Sequence, residues 1–443
     1  MGRVNMKNKL AFQVFENKKI NESYKKYSHP SGLDIYIFPK KMSTVYAIFG
    51  TKYGSIHNRF KTAESDEWQC VPDGIAHFLE HKLFVCEDGS DAFERFSDYG
   101  ADANAYTSFN KTCYLFSCTD RFEDSLCELL DFVTHPYFTE DSVASEIGII
   151  AEEIKMYDDN PSDRCFYGML EGMYKEHSIR RNICGSKESI SKITPELLYE
   201  CHEKFYRLSN MALVICGDVS DDSVLSIADK HLPSAPTTAP EVICDNENEK
   251  EAATVYMPYV EQRMQVAKPL FKIGIKDTDI PERAEDRQRK EAKMAILNEM
   301  IFSGSKDLYA SLIEKDMISP AFSYGYSIGD SFAFNSVSGE ADDPKAVLDE
   351  ILSHIEKLKA DGLDREDFKR SKRVMYAEAV RSFDSTDAIA NNLFSFVCDG
   401  FELLSDTDII DSISFEEICE LFKNAFNKEH ITLSAVLPIQ NLS

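Results

Sequence analysis

The fold of this chain is indicated by a stretch that occurs twice, as AHFLEHKLF at residues 76–84 and as MAILNEMIF at residues 294–302. The apolar residues of the two stretches coincide at both ends and at the central leucine. Each copy is followed by segments that alternate like strands, at residues 103–117 and 321–337. The chain is therefore interpreted as a duplicated unit whose two copies have diverged.

The remaining elements of the two copies also correspond. A long helical pattern spans residues 138–157 in the first copy, and its counterpart spans residues 363–381. Strand-like segments at residues 211–215 and 431–436 close the two copies. The alternation of these strand-like segments with long helical patterns predicts an α+β fold with two homologous domains. We expect each domain to be an antiparallel-rich sheet with helices packed on one face.

A change in composition near the middle of the chain predicts the boundary between the domains. Residues 232–240 are rich in proline and small polar residues, and an acidic stretch follows at residues 245–251. Such composition without periodicity is typical of a linker. For a length of 443 residues we therefore predict a first domain at 1–231, a linker at 232–252 and a homologous second domain at 253–443.

Charge and hydropathy exclude several classes of function. Acidic residues outnumber basic ones by 76 to 49, a net charge of −27, which repels phosphate backbones and anionic lipids. We therefore expect no nucleic-acid or membrane partner. The first residues are polar and the twelve cysteines are scattered without a CxxC pair, so we expect reduced thiols and a cytoplasmic location.

The strongest local signal for chemistry is the HxxEH pattern formed by His77, Glu80 and His81. On a helix the two histidines lie about one turn apart on one face, which suits a zinc ion. Glu80 projects beside them, where its carboxylate can take a proton from an attacking water. Asp73 precedes the pattern and is predicted to cap the helix.

A catalytic zinc site needs a third protein ligand, and the helical pattern through Tyr157 offers two carboxylates for it. Glu146 and Glu153 are seven residues apart and differ by only about 20° around a helix. One of them can bind the metal while the other orients a histidine. Glu152 points elsewhere and is expected to be solvated.

These patterns, together with NAYTS at residues 104–108, resemble the pitrilysin or insulinase-type inverzincins, a family that includes the mitochondrial processing peptidases. The resemblance covers most of residues 30–440 and implies a zinc metalloendopeptidase. It implies that the first domain binds zinc through His77, His81 and Glu153 and that Glu80 is the general base. It also implies that Glu146 orients a histidine ligand without binding the metal, and that Asn104 and Ala105 bind the peptide on an edge strand.

The second half departs from this family pattern. Active members carry an arginine and, a few residues on, a tyrosine that reach the substrate, but Ile313 and Ser319 stand there in this chain. The second copy of HxxEH reads Ala295, Asn298 and Glu299. The resemblance thus implies half of a clamshell whose paralogous partner subunit supplies the arginine and tyrosine.

Two other interpretations compete with this one. The GxSxG pattern around Ser327 is that of a serine-hydrolase nucleophile, but the residues after it alternate like a strand, where that motif needs a helix. The more serious alternative is a non-catalytic structural or adaptor subunit with a vestigial zinc site. Retention of His77, Glu80, His81 and Glu153 favours the enzyme.

Overall fold

The computed structural model describes residues 10–237, 240–245 and 251–439. The strands are, in chain order, β1 (Phe12–Asn17), β2 (Glu22–Ser28), β3 (Asp34–Pro39), β4 (Val45–Thr51), β5 (Arg59–Thr62), β6 (Gln69–Cys70), β7 (Asp102–Thr107), β8 (Thr112–Cys118), β9 (Met211–Gly217), β10 (Val242–Cys244), β11 (Tyr259–Met264), β12 (Leu270–Lys276), β13 (Ser323–Ile328), β14 (Ala333–Glu340) and β15 (Ile431–Pro438). The helices are α1 (Ile75–Leu83), α2 (Ala92–Asp98), α3 (Phe122–Thr134), α4 (Glu140–Asp159), α5 (Pro161–Met173), α6 (Lys187–Ile190), α7 (Pro195–Phe205), α8 (Asp221–His231), α9 (Ala284–Phe302), α10 (Asp307–Glu314), α11 (Pro344–Asp361), α12 (Arg365–Arg381), α13 (Thr386–Asp399), α14 (Asp406–Ser412) and α15 (Phe415–Asn424).

Each half of the chain is built on its own sheet. The first sheet has the spatial order β1-β2-β3-β9-β4-β8-β7, and the second has the order β11-β15-β12-β14-β13. In both sheets the described pairs are antiparallel except one, β3–β9 in the first and β11–β15 in the second. The antiparallel-rich α+β fold with two homologous units is therefore confirmed.

The long helices lie where the hydrophobic pattern predicts them. The helix predicted through Tyr157 is α4, and the one predicted to end at Arg381 is α12. Thr139 caps α4 through the backbone N–H of Ser142, whose hydroxyl bonds the Thr139 backbone in return. Asp364 caps α12. Such caps satisfy N–H groups that have no partner within the helix, and so they fix where each helix begins.

Each half also sends one helix across to the sheet of the other half. Helix α5 packs against β12 and β15, and helix α13 packs against β4 and β9. A Cβ at Gly172 would overlap the hydroxyl of Thr432, and a Cβ at Gly50 would lie 2.5 Å from Phe394 Cζ. Glycine thus permits the close approach on both sides. Each sheet therefore has its own helices on one face, as predicted, and a helix from the other half on the opposite face.

The segment predicted as a linker contains more structure than its composition indicates. The strand Val242–Cys244 pairs with β5, in a small sheet of order β10-β5-β6. Its other two strands, β5 and β6, precede α1, so this part of the predicted linker pairs with the first half. Residues 238–239 and 246–250 of the predicted linker lie outside the described residues.

The described residues contain neither a helix that could span a membrane nor a disulfide. None of the helices described for this chain combines the length and the apolar character needed to cross a bilayer. All twelve cysteines have free thiols. Cys113 and Cys118 lie on the same strand but pack into different cores, on the two faces of the first sheet.

Candidate metal centre and active site

Helix α1 carries the HxxEH residues and is almost completely buried. Its N-cap is Gly74 in the left-handed conformation, with φ 91°, and not Asp73 as predicted. Asp73 lies one residue too early to reach the free N–H groups of the helix, and it binds Asn58 and Arg181 instead. A Cβ at Gly74 would overlap the carbonyl of Cys184, so glycine brings the loop at Cys184 against the start of the helix.

Three side chains converge next to α1 in an arrangement that fits a metal ion. One ligand atom each from His77, His81 and Glu153 lies within 4.8 Å of the others. His77 Nε2 is 3.6 Å from Glu153 Oε1, and His81 Nε2 is 3.4 Å from Glu153 Oε2. Two ligands that bind one zinc ion tetrahedrally, each at about 2.1 Å, lie about 3.4 Å apart. The observed spacings therefore match zinc and are too long for direct hydrogen bonds.

Glu146 contacts the ring of His81 from the side opposite Glu153. Its Oε1 lies 3.1 Å from His81 Nδ1, which directs the other ring nitrogen towards Glu153. Its Oε2 lies 3.6 Å from Nζ of the buried Lys82. Burial raises the pKa of Glu146, but His81 and Lys82 outweigh it and the net shift is downward. Burial lowers the pKa of His81, but Glu146 and the neighbouring carboxylates outweigh it and the net shift is upward.

Glu80 lies beside the three donors and is 8% exposed. Its Oε2 accepts a hydrogen bond of 2.6 Å from the hydroxyl of Thr107. Burial raises the pKa of Glu80, and His77 and the Thr107 hydroxyl oppose this rise only in part. The pKa of Glu153 is lowered, chiefly by the neighbouring imidazole of His77. Two carboxylates that line the same cavity thus have pKa values shifted in opposite directions, as is typical where one binds and the other exchanges protons.

Of the two predicted peptide-binding residues, Ala105 lines the same cleft, and Asn104 precedes it on the strand. Strand β7 is the edge strand of the first sheet, and it carries Asn104 and Ala105. The side-chain oxygen of Asn104 accepts a hydrogen bond of 2.8 Å from the backbone N–H of Ala105. A cavity of about 250 Å³ is bounded by this strand and by the HxxEH residues. The free edge and the three donor residues therefore face one space.

Several residues of the cleft were not predicted from the sequence. The buried Lys82 follows the HxxEH pattern directly, and Cys184 Sγ lies 3.8 Å from His77 Nε2. Tyr157 follows Glu153 by one turn of α4 and lines the cavity, and burial raises its pKa to about 12. Thr107 is the hydroxyl that binds Glu80. Only Lys82 and Tyr157 had a signal in the sequence, since each lies within one helical turn of a predicted ligand.

The equivalent position in the second half holds a hydrogen-bonded core without histidines. Asn298 occupies the place of Glu80, and its amide exchanges two hydrogen bonds with Asn335. Glu299 occupies the place of His81 and accepts a hydrogen bond from the hydroxyl of Tyr324. These groups satisfy one another, so the second copy stabilises the fold in place of a metal ion.

The remaining motif positions lie in the second half. Ile313 is 36% exposed on α10, and Ser319 follows that helix and binds the backbone of Glu340. Ser327 is exposed on β13, and the chain continues into β14. Because a serine-hydrolase elbow requires a helix after the strand, the structure does not support Ser327 as a nucleophile.

Two family models match this chain. The model described as insulinase, peptidase family M16, matches residues 70–187, which include α1 and α4. The model described as the peptidase M16 inactive domain matches residues 192–375, most of which lie in the second half. The first match thus contains the candidate metal centre and the second contains the copy without histidines.

Similar proteins and solved structures agree with these matches. The chain is 38% identical over 428 residues to the "Uncharacterized zinc protease YmfH" of Bacillus subtilis, an alignment that covers 96% of this chain and 98% of that protein. An M16-like peptidase from Alicyclobacillus acidocaldarius is 28% identical, with a TM-score of 0.88 over 97% of this chain and 99% of the other. A protease from Helicobacter pylori shares the fold, with a TM-score of 0.80 at 17% identity over 94% of this chain and all of the other. The chain therefore belongs to the insulinase family of peptidases, family M16.

Proposed function

We propose that this chain is the zinc-binding catalytic subunit of a metalloendopeptidase that cleaves peptides or small unfolded polypeptides. The observation that carries the proposal is the convergence of His77, His81 and Glu153 within 4.8 Å. Two imidazoles and one carboxylate form a ligand set that suits catalytic zinc and leaves a fourth position open. Zinc is also the metal in the name of the relative from Bacillus subtilis.

The chain's own residues supply the remaining chemistry. When bound, a zinc ion polarises the scissile carbonyl and lowers the pKa of the attacking water. Glu80 takes the proton from that water and delivers it to the leaving amine, as a general base and then a general acid. Glu146 holds His81 in the tautomer that leaves Nε2 free to bind the metal. Their proximity within one buried cleft supports this division of roles.

Substrate binding is proposed at the free edge of β7. An extended peptide can add there as a further strand and pair with the backbone around Asn104 and Ala105. In the structure the side chain of Asn104 occupies the N–H of Ala105, so a substrate strand would replace that contact. Pairing of this kind requires an unfolded segment and makes little demand on its side chains.

A partner subunit completes the proposed site. Ile313 and Ser319 replace the arginine and tyrosine that active members direct at the substrate, so this chain lacks those hydrogen-bond donors. We propose a similar-sized paralogue that carries both residues but no HxxEH pattern, and a heterodimer that works in the cytoplasm. The replacement of the arginine and tyrosine also favours the second candidate, a structural or adaptor subunit whose metal site is vestigial.

Chelation of the metal distinguishes these functions. Peptide cleavage by the chain together with its partner is expected to fall to background when a zinc chelator is added, and to return when zinc is restored. Ser327→Ala is the control and is expected to leave the rate unchanged, because Ser327 lies on β13 of the second sheet and does not line the HxxEH cavity. Cleavage that survives chelation, or that is lost in the Ser327 variant, would contradict a metallopeptidase.

A further inference from the structure

Thr107 connects the peptide-binding edge with the proposed general base. It is the last residue of β7, and its hydroxyl donates to Glu80 Oε2 at 2.6 Å. No other side-chain hydrogen bond to Glu80 is found in the described part of the chain. The orientation of this carboxylate therefore depends on one hydroxyl.

The neighbouring hydroxyl of Thr112 competes only weakly for the Thr107 proton. Thr112 lies opposite Thr107 in the β7–β8 pair, and its hydroxyl donates to the carbonyl of Tyr53 at 2.9 Å. A hydroxyl has a single proton, so Thr112 has none left for Thr107 Oγ1 at 3.3 Å. Of the two acceptors within reach of the Thr107 proton, Glu80 Oε2 is the closer, at 2.6 Å against 3.3 Å for Thr112 Oγ1, and a carboxylate is the stronger acceptor, so the proton goes to Glu80. With Oε2 held, Oε1 is the oxygen left for the attacking water.

The second half of the chain holds the hairpin on which Thr107 lies. At its tip, Asn110 donates to Asp399 at 2.8 Å, and Lys111 forms an ion pair with the same carboxylate at 3.5 Å. The hydroxyl of Tyr106 reaches Asn391 on α13. The catalytically silent half of the chain therefore stabilises the strand that presents both the peptide-binding edge and the Thr107 hydroxyl.

We infer that Thr107 is a positioning residue that holds Glu80 for proton transfer and links its orientation to the edge strand that receives the substrate. This inference rests on the proposed peptidase function. A carboxylate released from one fixed position spends less time in reach of the attacking water, and misplacement by about 1 Å can cost roughly 100-fold in rate. Thr107 itself makes no contact with the reacting atoms.

The test compares variants that remove only the hydroxyl with one that keeps it. In Thr107→Val and Thr107→Ala, kcat is expected to fall roughly 10-fold to 100-fold while KM and zinc content stay near wild type. Thr107→Ser keeps the hydroxyl and is expected to remain within about threefold of wild type. Thr51→Val is the control, since it removes a buried hydroxyl that bonds the Phe205 carbonyl away from the site. An unchanged kcat in the Val and Ala variants, or an equal loss in the Ser variant, would overturn the inference.

Crystal structures of the zinc-free chain provide a readout that does not depend on activity. Glu80 is expected to occupy one position in wild type and Thr107→Ser, and to move or become multiple in Thr107→Val. An unmoved Glu80 in the Val variant would overturn the positioning role even if no form of the protein cleaves peptides. Absence of chelator-sensitive cleavage in wild type would instead refute the proposed function, so the two failures are distinguishable.

Discussion

Glu80→Gln is expected to lose peptide cleavage by roughly 100-fold to 10,000-fold, the range that a general acid–base group contributes. Glutamine keeps the size of the side chain and can still accept the hydrogen bond from Thr107, but it cannot take a proton from water. The variant should fold as wild type does, because no ion pair in the described residues depends on Glu80. The measurement is the steady-state cleavage rate of a peptide by the variant together with its partner subunit.

Zinc content and thermal unfolding are the controls for this variant. Both are expected to match wild type, since the proposed ligands are His77, His81 and Glu153. A cleavage rate near that of wild type would show that Glu80 is not the base. Loss of zinc together with activity would show that Glu80 binds the metal.

Mixing with the partner subunit is expected to produce the second large effect. The lone chain should bind zinc but cleave peptides slowly, because Ile313 and Ser319 provide no donors for the developing oxyanion. Each missing donor of this kind costs about 100-fold to 1,000-fold in rate. Addition of a paralogue that carries the arginine and tyrosine should restore activity, as measured by cleavage at increasing ratios of partner to chain.

The matched control is the same partner with its tyrosine replaced by phenylalanine, which should bind but restore much less activity. A homodimer cannot supply the missing groups because both copies lack them. Robust cleavage by the lone chain, in a preparation shown to contain no paralogue, would refute the two-chain proposal. Zinc binding without cleavage in any mixture would favour the adaptor.

The elements of the fold were largely predictable because their signals are local. The helix that ends at Arg381 was predicted to its last residue, and the strand that begins at Ile431 was predicted to its first. The exchange of α5 and α13 between the halves was not predictable. An apolar helix face shows that the helix is buried, but the choice between two sheets depends on tertiary fit, such as that at Gly50 and Gly172.

The candidate site also combines features that local sequence predicts with features that depend on tertiary packing. The spacing of His77, Glu80 and His81 on one helix is a local property, and the sequence therefore predicts it. The hydroxyl of Thr107 reaches Glu80 across 27 positions of sequence, and Cys184 reaches His77 across 107. Contacts of this kind arise only when strands and loops pack, so the periodicity of the sequence contains no sign of them.

The most direct test of the central claim is the zinc content of the purified chain and of Glu153→Gln. Wild type should contain about one zinc ion per chain and Glu153→Gln should lose most of it, because an amide is a weaker ligand than a carboxylate. Glu152→Gln is the matched control, since Glu152 is the exposed neighbour on the same helix and should keep the metal. No zinc in wild type, or equal zinc in the Glu153 variant, would contradict the metal centre proposed here.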